Sequence, residues 1–524
     1  SGLGDRSGRP LASGETAVRR GSPGRSPAAG RLGTPRGERR AGPCDNTRFS
    51  VNIRETVKEE TVAKVDQNSR IESDSMGEVQ IPGWAYWGAQ TQRAVQNFSV
   101  SPLRIPRPFI RALALIKKHA AKANAELGLV EQRLADAVVQ AADEVLEGTW
   151  DGHFPIDVFQ TGSGTSWNMN MNEVLANRAN EILGSGLGTR SPVHPNDHVN
   201  RGQSSNDVIP TAVHIANRLE VDELLDALAV LERSLRNKTN EFDTIYKLGR
   251  THLQDAVPMT LGQEFSGYAE QIAKAIGRVR HTQANLEELA LGGTAVGTGI
   301  NCHPDMPAKA IAGIADETGV RFVEAANRFE AIAARDAQVE LMGALNVLAT
   351  ALMKIGNDLR LLASGPRGSI GEITLPSLQP GSSIMPGKVN PVIPEMIIQV
   401  AAYVSGKVVS VTMGGQNGPL ELNMMHPLIA FETLASLELL ATSCRAFAER
   451  CVEGITANTE RLDYWIEWSL ALVTPLATEI GYDQAAKLAY KAYKENRKIR
   501  DVVEEAGVVS KEKQDELLDP KRMT

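Results

Sequence analysis

The stretch LMGALNVLATALMKIGNDLRLL, residues 341–362, decides the fold class. Its large apolar side chains recur at alternating spacings of four and three residues, which places them on one face of a helix. Two earlier segments repeat this spacing. Seams of this length predict long helices packed at shallow angles, so we expect an all-α protein with a long central helix bundle. The apolar positions of the three seams are Leu224, Leu228, Leu231, Leu235; Phe265, Ala269, Ile272, Ile276, Val279; and Leu341, Leu345, Leu348, Leu352, Ile355, Leu359, Leu362.

The overall composition favours helices and excludes some partners. Aromatic residues make up only 5% of the 524 residues, and Ala and Leu are plentiful. Strands recruit aromatic and β-branched side chains, whereas Ala and Leu cost helices least. The net charge of −7 gives no cationic field that would attract nucleic acid or an anionic membrane. No window approaches about 18 uninterrupted apolar residues, so a membrane span is not expected.

The cysteines carry no ligand pattern. Cys44, Cys302, Cys444 and Cys451 are spread along the chain without a CxxC pair or a Cys/His spacing. Zinc sites, iron–sulfur clusters and disulfide frameworks each require such spacings. We therefore expect an intracellular protein without a metal or another cofactor.

Composition and turn signals divide the chain into four segments. Residues 1–69 are rich in Gly, Arg, Ser and Pro and lack an apolar period, which predicts a disordered leader. The alternatives are an organelle transit peptide or a segment foreign to the native protein. We assign residues 70–205 to an N-terminal helical domain and residues 206–459 to the central bundle. Residues 460–524 are expected to form a small C-terminal domain of short helices.

The first polar loop is TGSGTSWNMN, residues 161–170. Its glycines allow backbone N–H groups to approach a ligand, and Ser163, Thr165 and Asn168 offer side-chain donors. A helix cap and turn leading into a helix at Glu173 is the alternative interpretation.

The second polar region combines VHPNDHVN, residues 193–200, with QSSND, residues 203–207. It precedes a long helical pattern, so its hydroxyl and amide groups could receive a carboxylate. Ordinary helix capping explains the same residue types. The candidate ligands are Ser204, Ser205 and Asn206.

The third region, GRTHLQDAVP at 249–258, contains Thr251 and His252. A single histidine is more often structural than catalytic. However, the pKa of histidine suits a group that transfers protons near neutral pH. We therefore retain His252 as a candidate acid/base residue.

The fourth loop, PGSSIMPGKVNP at 380–391, is the most informative. Glycines and prolines prevent regular structure here while the loop presents Ser382, Lys388 and Asn390. This composition is typical of a mobile loop that closes over a ligand, although a plain Gly/Pro turn would share it.

These four motifs, in this order, resemble the signatures of the fumarase/aspartase superfamily of lyases, and the resemblance covers about residues 70–524. It implies a three-domain all-α fold and a homotetramer with a twenty-helix core. Each active site would draw loops from three subunits. Within the superfamily, His252 points to the fumarase branch, because aspartate ammonia-lyases commonly carry Gln there. Trp167 and His198 depart from the usual fumarase pattern.

The same resemblance assigns roles to individual residues. Ser382 is the expected general base, and His252 with Glu395 would act on the oxygen of water. A second, non-catalytic dicarboxylate site is implied at His194, Asn196 and Asp197. The implied substrate-binding residues are Ser163, Thr165, Asn168, Ser204, Ser205, Asn206, Thr251, Lys388 and Asn390.

The implied activity is the reversible hydration of fumarate to (S)-malate in the tricarboxylic acid cycle, through an aci-carboxylate intermediate. We expect the enzyme in the cytoplasm, or in mitochondria if residues 1–69 are a transit peptide. Two alternatives stay open. One is an aspartate ammonia-lyase with the same acid/base plan, and the other is a non-catalytic structural protein, as in the lens crystallins of the superfamily.

Overall fold

The computed structural model describes residues 69–524, so nearly all of the predicted leader lies outside the described residues. Within this range the chain is predominantly helical. The helices are α1 (Ala89–Asn97), α2 (Arg107–Glu126), α3 (Gln132–Leu146), α4 (Thr165–Ile182), α5 (Ser205–Glu241), α6 (Leu261–His281), α7 (Gln283–Leu286), α8 (Met306–Thr318), α9 (Arg328–Ala333), α10 (Asp336–Leu362), α11 (Val392–Gln416), α12 (His426–Arg450), α13 (Thr459–Trp468), α14 (Leu476–Ile480), α15 (Tyr482–Glu495), α16 (Ile499–Ala506) and α17 (Lys511–Leu517).

The strands of the described residues form four two-stranded sheets. Strands β1–β2, β3–β4 and β7–β8 pair antiparallel, and β5–β6 pair parallel. The all-α class is confirmed, although the sequence did not predict the β1–β2 hairpin before the first helix. The strands are β1 (Ser69–Asp74), β2 (Gly77–Pro82), β3 (Tyr246–Thr251), β4 (Gln254–Thr260), β5 (Glu288–Leu289), β6 (Val323–Glu324), β7 (Ile373–Thr374) and β8 (Thr456–Ala457).

The long helices α5, α6, α10, α11 and α12 pack together as the predicted bundle. Helix α5 alone runs for 37 residues. The residues of the three apolar seams are buried in one continuous core, with only Ile276 partly exposed. The periodicity therefore identified both the helices and the faces that they bury.

Two further cores flank the bundle. One lies among α1 to α4, the start of α5 and α8. The other lies mainly in the C-terminal segment, where it includes Leu476, Val502 and Leu518, and also takes in Leu248 of β3. Short helices in this segment are separated at Gly481, as expected. The proposed domain boundaries at residues 205 and 459 remain predictions.

Three helical segments are long and apolar enough to cross a membrane by length and composition alone, namely 336–362, 392–416 and 426–454. The sequence analysis expected no membrane span because it considered only uninterrupted apolar runs. The buried share of the apolar window is 50% and 67% in the first and third segments, but only 22% in the second. Helix α11 therefore leaves much apolar surface uncovered within one chain.

Candidate active site

The loop at 161–168 leads into α4, which begins at Thr165 rather than at Glu173. Gly164 precedes the helix with φ of 72°, a conformation that favours glycine. The hydroxyl oxygens of Ser163 and Thr165 lie 2.9 Å apart. The backbone N–H of His426 donates to the carbonyl oxygen of Gly162 at 3.1 Å, which fixes the loop against the start of α12.

The second motif forms the N-terminus of α5. The Ser204 hydroxyl accepts the backbone N–H of Asn206, and the Asp207 carboxylate accepts the N–H of Ser204 at 2.9 Å. Asp207 is fully buried, and this burial raises the pKa of its carboxyl group, against the opposing effect of its backbone hydrogen bonds. A helix N-terminus carries partial positive charge, so this end of α5 suits a carboxylate ligand.

A side-chain hydrogen bond joins the first two motifs. The buried Asn168 amide donates from Nδ2 to the Ser205 hydroxyl oxygen at 2.9 Å. Asn206 donates from its amide to the carbonyl oxygen of Ala295 at 2.8 Å. Asn168 thus lies with Ser204, Ser205 and Asn206 at the N-terminus of α5, and these four residues are hereafter called the α5 cluster.

His252 lies at the tip of the β3–β4 hairpin. Thr251 pairs with Gln254, so His252 and Leu253 are the two central residues of a tight turn. Their φ angles are 54° and 58°, as a type I′ turn requires. Non-glycine residues at positive φ carry strain and cluster at functional sites. The turn exposes the imidazole and the Thr251 side chain to solvent.

The loop at 380–391 is held by its own hydrogen bonds. The Ser382 hydroxyl oxygen accepts the backbone N–H groups of Ile384 and Met385 at 3.3 and 3.1 Å. Asn390 donates from its amide to the Gly381 carbonyl at 2.7 Å. Gly381 donates to the Lys388 carbonyl at 2.8 Å. Ser382 thus sits in a cradle of backbone donors, while Asn390 closes the base of the loop.

Glu395 lies in the first turn of α11 and is partly exposed. Among residues 69–524, no hydrogen bond or ion pair joins Ser382, Lys388 or Glu395 to His252. Within the same residues, no hydrogen bond or ion pair joins any of these four residues to the α5 cluster. One chain therefore presents three separate groups of candidate residues: the α5 cluster, the His252 hairpin and the Ser382 loop.

The residues of the implied second site are near one another. The Nδ1 atom of His194 accepts the backbone N–H groups of Asn196 and Asp197, each at 3.2 Å. His194 thereby caps the π-helix Pro195–Val199. The Nδ1 atom of His198 accepts the N–H of His194 at 2.8 Å. His198 therefore has a local structural role, and burial lowers its pKa.

Trp167 is wholly buried and packs against Phe109, with ring centroids 5.2 Å apart. It fills the core beneath α4 rather than facing solvent beside Asn168. Trp167 therefore has a core-packing role in this chain.

Sequence reasoning did not single out four polar residues behind the α5 cluster, of which Lys117 and Asp207 are buried and the other two are partly buried. Lys117 could have been noticed, because it lies on the apolar face of α2 near Leu113 and Ala120. The other three stand inside motifs that we quoted, but their contacts were not evident. They are Asn200, Gln203 and Asp207.

The comparisons with known proteins agree with this fold. Residues 77–406 match a family model described as Lyase, and residues 472–524 match one described as Fumarase C C-terminus. The chain is 52% identical to a class II fumarate hydratase of Neisseria meningitidis over 87% of this chain and 99% of that protein. It is 51% identical to the human mitochondrial fumarate hydratase, over 87% of this chain and 90% of that one.

Solved structures give the same result. The class II fumarase of Schistosoma mansoni superimposes with a TM-score of 0.84 at 41% identity, over 87% of this chain and 99% of that chain. A fumarate lyase:delta crystallin protein of Brucella melitensis reaches 0.84 at 45% identity over the same shares. The helix bundle and its polar loops define a lyase of the fumarase/aspartase fold. Within that class, the chain belongs to the class II fumarate hydratase family.

Proposed function

We propose that this chain catalyses the reversible hydration of fumarate to (S)-malate, a hydro-lyase reaction of the tricarboxylic acid cycle. Family membership supports the reaction. The observation that carries the mechanism is the Ser382 hydroxyl oxygen held by two backbone N–H groups. This arrangement suits a serine that must accept a proton.

The chemistry explains why such donors are needed. Dehydration of malate removes a proton from a carbon next to a carboxylate, which is a very weak acid. Negative charge then spreads into that carboxylate as a dianionic aci-form. Preorganised donors around this group should supply the largest stabilising effect. We assign this role to Lys388 with donors of the α5 cluster, and Asn390 supports the loop that carries Lys388.

Ser382 is the proposed general base. A neutral serine is a poor base, so its alkoxide must be stabilised. Backbone N–H groups of Ile384 and Met385 already point at its oxygen, and a substrate-bound loop would bring the Lys388 charge closer. Exclusion of water by loop closure would strengthen both effects.

His252 is the proposed acid/base group on the oxygen side. In hydration it would activate water, and in the reverse direction it would protonate the departing hydroxyl. Glu395 would orient the imidazole. His252 and Glu395 share no hydrogen bond within residues 69–524, and we propose that they become partners across two copies of the chain.

Helix α11 supports assembly of several chains. Its exposed apolar residues include Tyr403, Val409 and Met413, which are 45%, 60% and 57% exposed. An apolar face of this size on a long helix favours a protein interface. We infer a homotetramer in which central helices of four subunits form the twenty-helix core. Each active site would then combine the α5 cluster, the His252 hairpin and the Ser382 loop from three subunits.

Charging this face should dissociate the tetramer. We expect Val409→Asp combined with Met413→Asp to yield smaller species, because two carboxylates would be buried without partners. Light scattering after size exclusion would measure the mass, and activity should fall with it. Val100→Asp is the control, since Val100 is 68% exposed but lies outside the bundle. A tetramer that survives the double substitution contradicts this interface.

Gly381→Ala should disable the Ser382 loop without unfolding the chain. An added Cβ would lie 2.5 Å from the Lys388 carbonyl oxygen and 2.8 Å from the Asn390 nitrogen. The loop must shift, and a shift of about 1 Å at a reacting group costs up to 100-fold in rate. Gly368→Ala is the matched control, because no atom lies within 4 Å of its added Cβ. Equal kcat values for the two variants would contradict the proposed loop geometry.

The substrate can be established by ultraviolet absorbance of the fumarate double bond. Purified protein would receive malate or aspartate in separate reactions. A rise with malate alone supports the hydratase, and a rise with aspartate alone identifies an ammonia-lyase. No rise with either substrate, from a folded oligomer, would support a structural role instead.

Two further assignments stay proposals. A second dicarboxylate would bind at His194, Asn196 and Asp197, where the exposed end of the π-helix offers polar groups. The enzyme is proposed to be cytoplasmic, with mitochondrial import as the alternative if residues 1–69 are a transit peptide. Cell fractionation of the full chain would decide between the two compartments.

A further inference from the structure

Lys117 is a buried cation that the mechanism above does not use. It lies in the middle of α2 with none of its surface exposed to solvent. Burial lowers its pKa to about 7, and the nearby Asp207 charge opposes that shift. A desolvated lysine is costly, so its presence beneath a ligand site is a reason to look for a role there.

The ammonium group contacts two side-chain amides. Lys117 donates from Nζ to Oδ1 of Asn200 and to Oε1 of Gln203, both at 2.9 Å. Because a protonated lysine can only donate, both amides turn their oxygens toward it in that form. Their NH₂ groups then face backbone carbonyls. Asn200 donates to the Gln203 carbonyl at 3.2 Å, and Gln203 donates to the Val199 carbonyl at 3.1 Å.

The orientation of Asn200 determines that of Asn168. The Asn168 NH₂ group donates to Oδ1 of Asn200 at 3.3 Å and to the Ser205 hydroxyl oxygen at 2.9 Å. If Asn200 were flipped, two NH₂ groups would face each other and Asn168 would lose one partner. Since Ser205 already accepts a hydrogen bond, its own hydrogen is free to donate to a ligand at the N-terminus of α5.

We propose that Lys117 is a positioning residue for substrate binding: through Asn200 and Asn168 it directs the Ser205 hydroxyl toward a substrate carboxylate. This inference rests on the proposed function, because it requires a carboxylate at the α5 cluster. It predicts that Lys117 affects binding of the dicarboxylate without touching it.

The test is Lys117→Met, which keeps an unbranched side chain and removes the donors. We expect KM for malate to rise about 10- to 100-fold, with kcat nearly unchanged because the lost interaction serves binding. The matched control is Lys118→Met, whose lysine pairs with Asp143 and Glu317 instead. Its KM should stay near that of the unmodified protein.

A double-mutant cycle separates positioning from a purely structural role. In a Ser205→Ala background, Lys117→Met should raise KM by less than about threefold, because the group that it positions is already gone. If Lys117→Met raises KM by the same factor in both backgrounds, or leaves KM unchanged in the otherwise unmodified protein, the proposal is overturned. Should Lys117→Met fail to fold, Asn200→Ala removes the shared acceptor and must give the same pattern.

Calorimetric binding of succinate, a dicarboxylate without a double bond, separates this proposal from the proposed function. If the unmodified protein binds succinate but does not convert malate, the proposed hydratase activity is contradicted and the positioning role of Lys117 is not. Lys117→Met must then weaken succinate binding about 10- to 100-fold. Unweakened binding, or no binding to the unmodified protein, overturns the positioning role.

Discussion

Ser382→Ala is expected to lower kcat for malate dehydration by about 10²- to 10⁴-fold, the usual contribution of a positioned general base. Alanine removes the only atom in the cradle formed by the N–H groups of Ile384 and Met385. The proton on carbon would then have to leave to solvent. KM should change little, because carboxylate binding is assigned to Lys388 and the α5 cluster. Initial rates under saturating malate would measure the effect.

Ser383→Ala provides the control for this experiment. Ser383 is the exposed neighbour in the same loop, and the substitution has the same size and polarity change. It should retain most of the activity. If Ser383→Ala were the more damaging variant, the base would have been assigned to the wrong hydroxyl. If both variants stayed active, proton removal would have to be assigned outside this loop.

The helix bundle could be predicted because the apolar spacing that indicates each helix lies within a single stretch of sequence. The seam from Leu341 to Leu362 repeats within one helix, and its burial follows from spacing alone. Loop motifs were also visible, since glycine, serine and asparagine concentrate there. The residue types alone left the roles of Ser382 and His252 open. The order of the motifs, which resembles the fumarase/aspartase superfamily, indicated those roles.

The contacts between segments could not be predicted in the same way. Lys117 meets Asn200 across 83 residues, and no periodic pattern marks such a pair. Residues 69–82 form a hairpin in which β1 pairs with β2, although the sequence analysis assigned residues 70–205 to a helical domain. We propose that the α5 cluster, the His252 hairpin and the Ser382 loop meet through assembly, and one sequence does not reveal such a grouping.

A buried ion cluster likewise joins residues that lie far apart in the sequence, next to the His252 hairpin and before the Ser382 loop. The carboxylate of Glu372 is fully buried, with Arg250 Nη1 at 2.7 Å and Lys247 Nζ at 3.4 Å. Lys247 also lies 3.3 Å from Glu264. Arg250 stands two residues before His252 on β3, and Glu372 immediately precedes β7, which leads toward the Ser382 loop. The cluster thus joins the β3–β4 hairpin to the residue that precedes β7 within one chain.

We therefore expect Glu372→Ala to lower the free energy of unfolding by about 3–5 kcal/mol, because two cations would stay buried with a single carboxylate between them. Urea midpoints at one fixed protein concentration would measure the loss, since association adds to the stability of an oligomer. Glu504→Ala is the control. Glu504 pairs with Lys511 on the surface, and its loss should change stability by no more than about 0.5 kcal/mol.

The double variant Glu372→Ala with Arg250→Met gives the sharper result. If the penalty of Glu372→Ala arises from an uncompensated cation, removing Arg250 as well should restore part of the lost stability. If instead the penalty reflects lost packing, the double variant should be less stable than either single one. Recovered stability with low activity would further indicate that Arg250 is needed to hold the His252 turn, because the bundle would be intact while the hairpin had lost its anchor.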